Sequence, residues 1–260
     1  MNRAVVILAA GKGTRMNSNL PKVLHKLESK PLVLHVLDAA QSIEPEKTVL
    51  VVGYQKEKVI NATLGYPLMY AFQEKQLGTA HALMQAQHLL TNKNYSVLLL
   101  SGDVPLLSSE TIESLFFIHH QKQAAATILT SILEDPSGYG RIVRSSSGEI
   151  KEIIEECDAS SEIKAINEVN GGIYIFESPL IFTILQKIKT DNSQGEYYLP
   201  DAIKLLVESG EKVESFVLQD PEDLLNINTP SSLLQAEKIL SRRSASFLPA
   251  NSGKAVVAHQ

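Results

Sequence analysis

The stretch Arg3-Ala-Val-Val-Ile-Leu-Ala-Ala10, followed by Gly11-Lys-Gly-Thr-Arg-Met16 and Leu20-Pro-Lys-Val-Leu24, decides the fold. Its first part is a continuous apolar run, the pattern of a strand buried on both faces. Two glycines follow at once. They let the backbone turn tightly and lie against a ligand with no Cβ in the way. Lys12, Arg15 and Lys22 place three cations beside that turn. A buried strand, a glycine turn and a group of cations suit a polyphosphate.

Two commoner phosphate motifs are excluded by the same residues. A dinucleotide-binding fingerprint needs a third glycine where Met16 stands, and no acidic residue closes a second strand about 20 residues on. A P-loop needs lysine after its last glycine, and Gly13 is followed by Thr14. An ordinary strand-to-helix connection would also place glycines here, but it would not require Arg15, Pro21 and Lys22.

Composition narrows the partners. The 260 residues suffice for one large or two small α/β domains, with 44% hydrophobic residues for a core. A net charge of −5 argues against a nucleic-acid or anionic-membrane surface. A single cysteine, Cys157, rules out a disulfide framework within the chain and suits a reducing, cytoplasmic setting. The apolar N-terminal run is too short for a membrane span and lacks a small-residue cleavage site.

Hydrophobic periodicity predicts strands over 4–8, 48–52, 68–72, 96–100, 126–131, 140–144, 149–155, 172–176 and 212–218, and helices over 32–42, 56–64, 79–90, 109–121, 179–188, 199–209 and 230–241. Up to about residue 120 strands and helices alternate, which predicts an α/β fold: a mixed, mainly parallel sheet with helices on both faces. Between 125 and 176 strands succeed one another with turn signals and no clear helix. That part is expected to form a small β-rich lid, with a lid or sugar-binding region over about 125–200. The domain is expected to span 1–240 and residues 241–260 to form a tail.

Three polar segments fall where strands end. Gly102-Asp103-Val104-Pro105 follows an apolar strand, so the Asp103 carboxylate is placed to hold a hard cation, with helix capping as its alternative role. Asn226-Ile-Asn228-Thr-Pro230 precedes the last helix. Thr229 reads as its N-cap and Pro230 as its first residue, leaving Asn228 to offer an amide oxygen. Gln73, followed by Gly78 and Thr79, carries a donor and an acceptor that match the edge of uracil, or else belongs to a polar turn before a helix. His119-His120 is expected to be a solvated or half-buried pair, and His25, His35 and His81 show no zinc spacing.

Together these segments resemble the bacterial sugar-nucleotide pyrophosphorylases, and among them the uridylyltransferase domain of the GlmU family, which acts on N-acetylglucosamine-1-phosphate. The resemblance runs over roughly 3–240. Its narrower parts are Gln73-Glu-Lys-Gln-Leu-Gly-Thr-Ala-His81, Gly138-Tyr-Gly-Arg-Ile142, Glu168-Val-Asn170 and Gln194-Gly-Glu-Tyr-Tyr198. It implies a Rossmann-like nucleotidyltransferase fold and magnesium-dependent transfer of UMP from UTP to the sugar phosphate. By resemblance Leu8, Ala10, Gly11, Gly13, Lys22, Gln73, Gly78 and Thr79 bind the nucleotide, and Arg15 and Lys22 are the catalytic cations. Gly140, Glu155 and Asn170 hold the sugar, and Asp103 and Asn228 hold Mg2+. Tyr139, Gln194, Glu196 and Tyr197 shape the pocket. The chain departs from the family pattern at Glu156-Cys157, Gly171 and Pro200-Asp201. The hexapeptide repeats of the family's acetyltransferase part do not occur in these residues, so no acetyl transfer and a monomer or small homo-oligomer are expected. A relative using another nucleotide or sugar, or a non-catalytic sugar-nucleotide-binding regulatory subunit, are the alternatives. The intact Arg15, Lys22, Asp103 and Asn228 argue against the last.

Overall fold

The structure, a computed structural model, describes residues 2–246. Its strands are β1 (Arg3–Ala9), β2 (Lys26–Leu27), β3 (Lys30–Pro31), β4 (Lys47–Val52), β5 (Met69–Phe72), β6 (Ser96–Ser101), β7 (Ala126–Ile132), β8 (Arg141–Arg144), β9 (Ile150–Ile154), β10 (Glu168–Glu177) and β11 (Val213–Val217). Its helices are α1 (Leu32–Gln41), α2 (Lys56–Ala62), α3 (Thr79–Gln85), α4 (Gln87–Leu90), α5 (Ser109–Lys122), α6 (Ser161–Lys164), α7 (Leu180–Leu185), α8 (Asp201–Glu208) and α9 (Pro230–Ser246).

The main sheet runs β11-β7-β10-β6-β1-β4-β5. β1 lies at its centre, parallel to both β4 and β6. β10 alone on this path runs against its neighbours β6 and β7. The mixed, mainly parallel sheet is therefore as expected.

Successive side chains of a strand point to opposite faces, and the core divides accordingly. Ala4 and Val6 of β1 join one cluster with Leu83 of α3, Phe182 of α7 and Ile203 of α8. Val5 and Ile7 join the other with Val36 of α1 and Phe116 of α5. Every residue of β1 from Ala4 to Ile7 is fully buried, which is why the run carries no polar side chain. A third cluster joins Met16, Leu27 and Leu106 to Ile227, Ala236 and Ile239, so α9 packs over the loop that follows β1.

Several expectations need correction. β7 and β10, expected within the β-rich part over about 125–200, are strands of the main sheet. Only the β8–β9 hairpin stands off it, joined through Val169 and Arg141. That segment also contains α6, started by Ser160 accepting from Ile163 N, where no helix was expected. The helix over 79–90 is interrupted at Ala86. The last helix continues to Ser246, so residues 241–246 belong to α9; the rest of the expected tail lies outside the described residues. His119 is fully buried rather than solvated, its ring nitrogens 2.8 Å from Thr127 Oγ1 and 2.9 Å from Glu177 Oε1. Among the described residues no helix is long and apolar enough to cross a membrane.

Candidate nucleotide and sugar site

The site lies where β1, β4, β5 and β6 end. Ligands of open α/β sheets bind beyond the carboxyl ends of the strands, and the turns after these four strands carry Ala10–Gly13, Gly53, Gln73 and Asp103 in that order. A cleft of about 280 Å³ opens there, bordered by Leu8, Ala10, Gly11, Gln73, Gly78 and Thr79, with Lys22 and Asp103 at one end. A second cavity of about 170 Å³ adjoins it and contains Glu155 and Asn170. The two share Leu8, Thr79 and Ser101 in their walls.

The loop after β1 is shaped by its contact with the segment after Pro21. Gly13 has φ of +69°, and a Cβ there would run into the Lys22 side chain, so glycine is required on both counts. Thr14–Met16 then form a single 3-10 turn that buries Met16 under α9. Gly13 and Arg15 do not border the cleft itself. Gly13 seats Lys22, and Arg15 reaches Asn228 Oδ1 at 3.5 Å. Lys12 lies to the side, its ammonium 5.6 Å from the Tyr54 ring centroid.

Lys22, Asp103 and Asn228 come together from three parts of the chain. The Lys22 ammonium forms an ion pair with Asp103 Oδ2 and donates to Asn228 Oδ1 at 2.7 Å. Ser101 Oγ donates to the other Asp103 oxygen. Asp103 is buried, and it does not cap α5, whose N-cap is Ser108. Ile227 N donates to Asp103 O at 2.9 Å, tying the segment before α9 to the end of β6. Ser232 N donates to Thr229 Oγ1 at 3.1 Å, so Thr229 does cap α9. Two oxygen donors, one of them a carboxylate, thus converge on one cationic atom. This donor set fits a hard divalent cation that takes its remaining ligands from phosphates and water. Among the described residues no three His, Cys, Asp or Glu side chains are grouped for a metal.

Gln73 is buried, and its Nε2 donates to Gly78 O at 3.1 Å and lies 3.0 Å from His81 Nδ1. The expectation that this amide pairs with a base in two places is therefore narrowed, because its nitrogen is engaged within the protein. Gly78 has φ of +113°, and a Cβ there would lie 2.5 Å from Tyr197 O. The segment 192–200 fits against the start of α3 with no side chain between them. Tyr197 N donates to Leu77 O, Ala80 N to Tyr197 O and Leu199 N to Thr79 Oγ1.

In the second cavity Asn170 N donates to Gly140 O, while Asn170 Oδ1 accepts from Gly172 N at 3.0 Å and Tyr174 OH at 2.9 Å. Among the described residues the Asn170 amide nitrogen has no partner, and it remains to donate to a ligand. Glu155 lies against Gly140, where a Cβ would be 3.1 Å from its Oε1. Burial, with Asp158 and Asp201 nearby, holds the Glu155 carboxyl above the usual glutamate range. Two of the departures from the expected pattern, Glu156 and Gly171, have local reasons. Glu156 pairs at 2.8 Å with Arg141, which is buried. A Cβ on Gly171 would lie 2.6 Å from Leu129 O. Cys157 is exposed, with Sγ 3.6 Å from Tyr198 OH.

Sequence reasoning did not pair His81 with Gln73. The signal was its place eight residues beyond Gln73, in the first turn of α3, but only the fold shows that the two side chains meet.

A parallel-rich sheet with a glycine loop after its first strand, opening on two joined cavities beyond its strand ends, is an open α/β architecture of the ligand-binding kind. The chain belongs to the nucleotidyl transferase family, whose sequence pattern matches residues 4–242. It is similar to the bifunctional protein GlmU of Enterococcus faecalis, 46% identical over 242 residues, which are 93% of this chain and 53% of that protein. The bifunctional protein GlmU of Brevibacillus brevis is 47% identical over 238 residues, 92% of this chain and 51% of that protein. The chain thus spans about half the length of the curated relatives it matches. In fold it is similar to a UDP-glucose pyrophosphorylase solved with UDP-glucose, with a TM-score of 0.75 at 19% identity, covering 94% of this chain and 100% of the other.

Proposed function

We propose that this chain transfers UMP from UTP to N-acetylglucosamine-1-phosphate, giving UDP-N-acetylglucosamine and pyrophosphate, for cell-envelope precursor synthesis in the cytoplasm. One observation carries the reading: two cavities share a wall, and Lys22, Asp103 and Asn228 stand together at the end of the nucleotide cleft. Uridine occupies the cleft beside Gln73 and Gly78, and the sugar occupies the cavity beside Glu155 and Asn170. The reacting phosphates then fall between them.

A phosphate oxygen of the sugar phosphate attacks the α-phosphorus of UTP in line, and pyrophosphate leaves. The attacking oxygen is already ionised, so no protein nucleophile or base is needed. Positioning and charge neutralisation do the work. Arg15 and Lys22 offset the charge on the transferring group and on pyrophosphate. Asn170 donates to the sugar, and the Glu155 carboxyl takes up a sugar hydroxyl. Asp103 and Asn228 would hold a divalent cation, Mg2+ in this reading, which would supply charge neutralisation at the phosphates. The domain responsible spans residues 1–240 together with the remainder of α9.

The test is pyrophosphate release over a grid of nucleotides and sugar-1-phosphates, with and without Mg2+. Highest kcat/KM for UTP with N-acetylglucosamine-1-phosphate is the expected result. A different preferred pair, or no release with any pair, overturns the reading.

A further inference from the structure

We infer that His81 acts with Gly78 O to set the base selectivity of the cleft, the two acceptors together holding the Gln73 amide with its nitrogen turned inward and its oxygen left for the base. The inference rests on the uridylyl-transfer reading and names the residue that makes the site choose uracil.

A glutamine amide has one end that donates and one that accepts, and turning it over reverses what it can read. Gln73 Nε2 has two neighbours, Gly78 O at 3.1 Å and His81 Nδ1 at 3.0 Å. A carbonyl oxygen can only accept, so the end of the amide near Gly78 must be the nitrogen. The second hydrogen of that nitrogen then points at His81 Nδ1, which must be the bare nitrogen of a neutral ring. Burial lowers the affinity of His81 for a second proton, which favours the neutral ring. The other ring nitrogen therefore carries the hydrogen. It faces the Gln85 amide, 3.3 Å away. The Gln85 nitrogen is already spent on His81 O, to which it donates at 2.9 Å, so the shorter 3.0 Å contact from Gln73 has the prior claim on the one bare nitrogen of the ring. Gln73 is 4% exposed and held by two acceptors, so it cannot turn.

Gln73 Oε1 accepts no hydrogen bond among the described residues, and Gln73 borders the cleft. An acceptor there pairs with the ring N–H of uracil. The matching ring nitrogen of cytosine carries a lone pair and meets Oε1 with repulsion. A buried site that must pair a polar edge discriminates strongly against a base that cannot. His81 touches neither the phosphates nor the sugar in this arrangement. It is a positioning residue that acts through Gln73.

Two variants separate this role from a merely structural one. His81→Phe keeps a ring and removes the acceptor. His81→Asn can place an amide oxygen where Nδ1 stands. UTP and CTP are each used with N-acetylglucosamine-1-phosphate, and KM and kcat are read from pyrophosphate release. In His81→Phe the preference for UTP over CTP should fall by at least about tenfold. The loss should appear as a higher KM for UTP, while kcat and the KM for CTP stay within about threefold. His81→Asn should keep most of the preference. An unchanged preference in His81→Phe, or an equal loss in both variants, overturns the inference. Long-range 15N spectra of the ligand-free wild type give an independent reading, since they report which ring nitrogen bears the hydrogen. Nδ1 should be bare, and a protonated Nδ1 overturns the inference whatever the nucleotide. A wild-type protein that does not prefer UTP instead overturns the proposed function.

Discussion

The Lys22 ammonium donates to Asn228 Oδ1 across 2.7 Å, although 206 positions separate the two residues in the chain. The same ammonium is paired with Asp103. One lysine therefore rests on both oxygen donors assigned to the cation, and the three side chains respond together to substitution.

The carboxylate should dominate this group. Asp103→Ala is expected to lower turnover by at least about a hundredfold, the scale of a main electrostatic stabiliser. Asn228→Ala removes a neutral donor and should cost less. Pyrophosphate release measured against Mg2+ concentration checks both. Near-normal magnesium-dependent activity in Asp103→Ala would remove the metal assignment.

Gln73→Ala is expected to raise the KM for UTP and to narrow the gap between UTP and CTP. Competition between the two nucleotides in one assay measures the gap directly. If the ratio stays put, the base is read by backbone or elsewhere.

Gly78→Ala places a Cβ 2.5 Å from Tyr197 O and 2.8 Å from Tyr197 N, at a φ of +113° that favours glycine. Backbone strain of this kind costs about 1–3 kcal/mol. The denaturation midpoint should fall accordingly, and segment 192–200 should become more open to proteolysis. A variant with wild-type stability would show that α3 and this segment are not rigidly joined.

Glu155→Gln should stabilise the ligand-free protein at neutral pH. The folded state holds the Glu155 proton to a higher pH than the unfolded chain does, because burial and then Asp158 and Asp201 oppose its charge. Between those two pKa values the folded state binds more protons, so stability falls as the pH rises. The substitution removes that loss. The midpoint of the variant should exceed that of the wild type at pH 8, and the gap should close as the pH approaches about 4, near the ordinary glutamate value. A gap that widens on acidification contradicts the assignment. Sugar binding should weaken in the same variant.

Much of this was legible in the chain because the central strands are buried on both faces. An unbroken apolar run such as 4–7 has few other readings. The glycine loop and Asp103 were legible because each follows such a strand directly, and Asn228 because it stands just before the capping signal of the last helix. β10 was harder. Gly171 and Gly172 interrupt its apolar pattern, and its pairing with β7 shifts register between Asn170 and Tyr174, so only its second half reads as a strand. The two-residue strands β2 and β3 are too short for any periodicity to show. His119 was misjudged because its burial depends on Thr127 and Glu177, from two other strands. The pairing of Gln73 with His81 is of the same kind: it exists only once a strand end and a helix start have been set side by side.

The backbone bond from Ile227 to Asp103 has a consequence for how the site comes into being during synthesis. The glycine loop, the cleft and the cavity beside it all draw on residues made before position 202, apart from Asn226. Asn228, which faces Lys22, comes later still, just ahead of α9. A nascent chain halted short of Asn226 has most of the pocket walls and lacks the amide that completes the centre. The grouping of Lys22, Asp103 and Asn228 is thus completed only once the chain leading into the last helix has been made.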